Sequence, residues 1–183
     1  MELKGSQTEK NLWTAFAGES QARNKYTFFA SAAKKEGFEQ IAGIFQETAD
    51  NEKEHAKLWL RALGGFEEGK KSGDTRLNLI HAAEGEHYEW TEMYKEFEET
   101  ARKEGFDKLA DAFKEVAAVE AEHEARYLKF VKNIEEGIVF KRDVKVRWRC
   151  RNCGYIHEDF EAPVICPACK HPRAYFEIAA ENY

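Results

Sequence analysis

The chain repeats itself. Lys35 to His55 reads KEGFEQIAGIFQETADNEKEH, and 68 residues later Lys103 to His123 reads KEGFDKLADAFKEVAAVEAEH. Self-similarity at a fixed spacing constrains the fold to two like units set one after the other. Within the first copy Ile41, Ala42, Ile44, Phe45 and Ala49 recur at steps of three and four, the period of an amphipathic helix. Near the start of each copy Gly37 and Gly105 stop one helix, and Phe38 and Phe106 open the next. Each half is thus predicted as a helical hairpin. The expected helices run from a cap at Ser6 or Thr8 to about Lys35, from Phe38 to Leu63, from about Thr75 to Lys103, and from about Phe106 to Glu136. Glycine-rich GGFEEGKKSGD, Gly64 to Asp74, joins the hairpins. The offset of 68 also pairs Tyr26 with Tyr94, Phe29 with Phe97 and Ala33 with Ala101, while a gap of one residue brings AGES onto AEGEH, Glu19 onto Glu86. Two hairpins make an all-α four-helix bundle.

After Gly137 the pattern changes. Val144, Val146 and Trp148 alternate with Lys145, Arg147 and Arg149, which predicts a half-buried strand. The expected domains are residues 1–137 and 138–183, and a tail this short rarely holds a core without a metal or disulfides. Charge divides the same way: the tail carries 8 Lys+Arg against 6 Asp+Glu, the rest 20 against 28. An acidic body argues against nucleic-acid binding, which draws its affinity from Lys and Arg. The opening MELKGSQTEKNLW has no apolar run, and no segment reaches the length of a membrane span, so no membrane association and a cytoplasmic address are expected.

Residues three apart on a helix project from nearly one face, so Glu52 can join His55, and Glu120 can join His123. With Glu19 and Glu86 the expected bundle gathers four carboxylates and two imidazoles where apolar side chains would normally sit. Burying carboxylates without partners is costly, and divalent metals remove that cost. Four Glu and two His is the recognised ligand set of ferritin-like di-iron carboxylate bundles. Glu89, three residues after Glu86, lies on the same face and by its spacing alone reads as a surface glutamate. Tyr26 and Tyr94 are placed to orient a ligand carboxylate or to pack in the bundle. His81, His87, His157 and His171 fit no such pattern and read as surface or packing residues.

All four cysteines lie in the tail, as CRNC (Cys150, Cys153) and CPAC (Cys166, Cys169) with twelve residues between the pairs. Two C-x2-C pairs predict one tetrahedral thiolate site, which accepts zinc or a single iron with almost the same geometry. Trp148, Tyr155, Phe160, Tyr175 and Phe176 are the candidate apolar shell. The basic run Lys141 to Arg151 reads as the solvated face of the strand.

FAGES at Phe16, EKEH at Glu52, EGEHYEWTEMY at Glu84, EAEH at Glu120 and WRCRNCGY with CPAC from Trp148 together resemble the rubrerythrin family over essentially the full length. The resemblance implies a ferritin-like di-iron bundle followed by a rubredoxin-like β domain, with two non-haem irons and one iron in a rubredoxin-type site of four thiolates. It implies di-iron ligands at Glu19, Glu52, His55, Glu86, Glu89, Glu120 and His123, with Glu52 and Glu120 bridging. One iron would move between His55 and Glu89 with redox state, so Glu52, His55, Glu89 and Glu120 are the implied catalytic residues. Cys150, Cys153, Cys166 and Cys169 would hold the third iron. Lys170 departs from the glycine usual after the last cysteine of rubredoxins. The implied function is a peroxidase reducing hydrogen peroxide to water in protection against oxidative stress. Electrons would come from rubredoxin or an NAD(P)H-dependent reductase, and the implied assembly is a homodimer or higher homo-oligomer. The alternative is a ferroxidase or iron-handling protein.

Overall fold

A computed structural model describes residues 2–64 and 74–180. The chain divides into two compact units, residues 1–73 and 74–183. Most of the expected glycine-rich connection, like the last three residues, lies outside the described residues.

The first unit is a hairpin of α1 (Gln7–Lys35) and α2 (Glu39–Ala62). Ser6 caps α1, its hydroxyl accepting the Glu9 N–H at 3.1 Å. At the other end KEGF folds as a Schellman turn. Gly37, at φ +87°, donates to the Lys34 carbonyl and Phe38 to the Ala33 carbonyl. The residues buried in this hairpin are all small: Ala30, Ala33, Ala42, Ala49 and Ala56.

The second unit opens with α3 (Thr75–Tyr88), capped by the Asp74 carboxylate, which accepts from the N–H groups of Arg76 and Leu77. The single helix expected over Thr75 to Lys103 is interrupted. Glu89–Met93 forms a π-helical turn, and α4 (Tyr94–Lys103) continues beyond it. The physical reason is the one-residue gap in the repeat: it falls between Glu86 and Tyr94, and a helix takes up an inserted residue by widening one turn. The second KEGF then repeats the first turn. Gly105, at φ +84°, donates to Arg102 and Phe106 to Ala101, leading into α5 (Asp107–Glu135). Arg76 pairs with Glu135 at 3.1 Å and ties the open ends of this hairpin. No helix among the described residues is long and apolar enough to cross a membrane.

The same unit ends in an antiparallel sheet ordered β2-β1-β3, from β1 (Lys141–Cys150), β2 (Ile156–Glu161) and β3 (Phe176–Ile178). Trp148 and Cys150 are buried on one face of β1, with Ala162, Cys166 and Phe176 against them. Val144 departs from the expected alternation and is exposed, because pairing with β2 shifts register between Lys141 and Val146. Phe160 and Tyr175 are also exposed, contrary to their expected place in the shell. Lys145 lies over the Phe160 ring, and Tyr175 packs on His171 at 4.4 Å. Lys141, Lys145, Arg147, Arg149 and Arg151 face solvent, as the strand alternation predicts.

Candidate metal centres

In the first hairpin α2 presents Glu52 and His55 one turn apart, with His55 Nδ1 2.7 Å from the Glu52 carboxylate. Packing of α1 on α2 brings Glu19 to 3.9 Å from the same nitrogen. The second hairpin repeats the arrangement: His123 Nδ1 lies 2.7 Å from Glu120 and 3.7 Å from Glu86. In each triad the ligand atoms lie within 4.8 Å of one another. The aromatic residues beyond the triads repeat as well. Phe29 meets Phe45 at 5.6 Å with Tyr26 beside them, and Phe97 meets Phe113 at 5.7 Å with Tyr94 beside them.

Electrostatics shows what the second triad lacks. Burial, then the nearby Glu120, push the Glu86 carboxyl above its ordinary 4.5; His123 opposes this, and Glu89 adds to it. The Tyr94 phenol is raised by burial, then by Glu89, Glu120 and Glu86. Glu89 stands outside the 4.8 Å triad yet acts on both groups, so this hairpin concentrates three carboxylates around one phenol. A divalent cation is the charge that would relieve them. Hard oxygen donors with one imidazole per triad suit iron, and the residues present fit such a group.

The four cysteines are free thiols, with Sγ–Sγ distances of 3.7 Å for Cys150–Cys169 and for Cys153–Cys166. Metal–sulfur bonds of about 2.3 Å in a tetrahedron require edges of about 3.8 Å. The spacing is that of a metal site and is far too long for a disulfide bond. Each pair sits in the same tight turn, Gly154 donating to the Cys150 carbonyl and Lys170 to the Cys166 carbonyl. Gly154 has φ +78° and Lys170 φ +63°, so both turns take the left-handed conformation although only one has glycine. The thiols share their protons unequally. Cys169 is pulled down to about 5, first by the backbone N–H of His171, with Cys153 also contributing. The Tyr155 N–H favours the Cys153 thiolate, yet its hydrogen bonds with Cys169, Cys166 and Cys150, together with desolvation, push it up to about 12.

His87, read from sequence as a surface or packing residue, takes part in a contact that spacing did not foretell. Glu124 of α5 accepts from the Trp90 indole N–H at 2.5 Å and lies 3.0 Å from His87 Nδ1. The one available signal was a mismatch in the repeat, since the offset of 68 sets Glu124 against Ala56.

Comparison with known proteins agrees along the chain. The family model described as rubrerythrin matches residues 10–131, and that of the rubrerythrin rubredoxin-like domain matches residues 148–177. A rubrerythrin of Porphyromonas gingivalis is 55% identical, the alignment covering 99% of this chain and 94% of the relative. A rubrerythrin of Nitratidesulfovibrio vulgaris is 53% identical, covering 99% and 98%. A solved mixed-valent state of nigerythrin is 36% identical over 95% of this chain and 87% of that one, with a TM-score of 0.35.

Proposed function

The chain belongs to the rubrerythrin family, and from that premise we propose that it is a non-haem di-iron peroxidase reducing hydrogen peroxide to water. The observation that carries the reading is the pair of equivalent Glu, Glu, His triads on a chain that also gathers four thiols at metal-site spacing. Peroxide turnover would occupy residues 1–137 and electron supply residues 138–183. Bound iron would supply both electrons for O–O cleavage and stabilise developing oxide charge, while a thiolate-held iron delivers replacement electrons singly.

The protein residues have separate tasks. Glu19, Glu52 and His55 of one hairpin, and Glu86, Glu89, Glu120 and His123 of the other, are the residues that would hold iron. His55 and His123 would bind through Nδ1, the nitrogen now set against Glu52 and Glu120, so metal would take the place of those two contacts. His55 would be the imidazole ligand of the first hairpin, and Glu89 a further carboxylate ligand in the second. Tyr94, its proton held more tightly by burial and then by the surrounding carboxylates, stays a neutral donor that can steady a ligand carboxylate. Cys150, Cys153, Cys166 and Cys169 would hold the iron that takes electrons from rubredoxin or an NAD(P)H-dependent reductase.

The test is to reduce the iron-loaded protein without oxygen, mix it with one equivalent of hydrogen peroxide in a stopped flow, and follow the thiolate-to-iron absorption. Its rapid return, much faster than with dioxygen, is expected. Slow return with peroxide, together with mineral growth under excess ferrous iron and air, would replace this reading with iron handling.

A further inference from the structure

The two hairpins are near copies, yet only the second has a π-helical turn, and only the second has Glu124, Trp90 and His87 joined. At the offset of 67 that holds at Glu86, His87 and Trp90 stand where the first hairpin has Ser20 and Arg23; Glu124 stands where it has buried Ala56. There Ser20 turns its hydroxyl to the Phe16 carbonyl of its own helix, and Ser20, Arg23 and Ala56 line a groove of about 430 Å³ between α1 and α2. Where the copy with the regular helix has an alanine lining a groove, the copy with the widened turn has a carboxylate joined to that turn.

We propose that Glu124 is a positioning residue: by holding Trp90 and His87, it pins the π-helical turn to α5 and so sets the place of the Glu89 carboxylate. The inference rests on the reading of Glu89 as an iron ligand. The two gripped residues flank Glu89 in sequence, one just after it and one two before, so freeing them frees its backbone on both sides. The Thr91 hydroxyl donates to the His87 carbonyl at 2.6 Å and closes the turn from within, while Glu124 ties it to another helix. Glu124 is well made for an anchor. Its side chain is 17% exposed, and its carboxylate lies within hydrogen-bond distance of both the indole N–H and His87 Nδ1.

Glu124→Ala and the milder Glu124→Gln, which keeps an acceptor for the indole, test this in the full chain with zinc filling the four-thiolate site. Hydrogen exchange of the Glu89–Met93 amides should quicken about tenfold or more in the alanine variant and less in the glutamine variant, while exchange around Glu19 stays unchanged. Cobalt(II) titrated into the same proteins should bind about tenfold more weakly, with a visible band altered in the direction seen for Glu89→Gln. Unchanged exchange at Glu89–Met93 in both Glu124 variants overturns the clamp and leaves the ligand reading standing. Faster exchange with wild-type cobalt binding in Glu89→Gln overturns instead the ligand reading, and the positioning role with it.

Discussion

Lys170 holds a left-handed backbone conformation, φ +63°, which its repeat-like counterpart Gly154 adopts without a Cβ. Its ammonium reaches the Pro167 carbonyl at 3.0 Å, an exposed contact too weak to offset much of the steric cost. Lys170→Gly should therefore raise the stability of the metal-loaded tail by about 0.5–1 kcal/mol, read from thermal unfolding, with the thiolate absorption unchanged. Glu86 supports a prediction of opposite kind. Because its folded pKa lies above the ordinary carboxylate value, lowering the pH protonates it before a free glutamate. A cation must compete with that proton, so the apparent affinity of the second triad for a divalent metal should fall as the pH drops through the raised midpoint, as metal titration at stepped pH would show. Glu120→Gln removes a raising charge and should move the Glu86 midpoint down in the metal-free protein, as carbon-detected NMR would measure. An unmoved midpoint would show that burial alone sets it.

The elements are governed by turns. Gly37 and Gly105 close equivalent Schellman motifs at φ +87° and +84°, and each has open space where a Cβ would go. Replacing either with alanine should cost about 1 kcal/mol, by the same amount at both sites in chemical denaturation, since the strain is in the backbone and not in the packing. The π-helical turn is a different device. Deleting exposed Glu92 removes the extra residue and should restore a regular helix in register with α1. The hairpin should still fold, while Glu89 loses its place and metal binding weakens about tenfold, as cobalt titration would show. A deletion variant that keeps full affinity would mean that the inserted turn serves no ligand.

For the whole molecule, the chain combines helices stabilised by their own backbone ladders with a small sheet whose buried core includes two of the cysteines, Cys150 and Cys166. Such a core is too small to hold its form without the metal that joins its sulfurs. Chelation should thus release Trp148, fully buried here, and shift its fluorescence, while the far-ultraviolet helix signal largely persists. Loss of both signals together would mean that the tail and the helices unfold as one cooperative unit.

Much of this was legible in the sequence because it depends on near neighbours along the chain. The helix period, KEGF as a stop signal, the meeting of Glu52 with His55 and of Glu120 with His123, and the twin C-x2-C turns are all set by spacing within one element or turn. The inserted residue was visible as a gap in the repeat, but a gap does not say whether a helix breaks, kinks or widens. Packing between elements decided that, and it also brought Glu19 and Glu86 to their histidines. Tertiary structure likewise exposed Val144, Phe160 and Tyr175, because a register shift and the outer face of a small sheet override alternation and hydrophobicity. His87 shows the division most clearly. Its own helix gives it no task, and only the approach of α5, bringing a carboxylate where the other hairpin has an alanine methyl, gives it one.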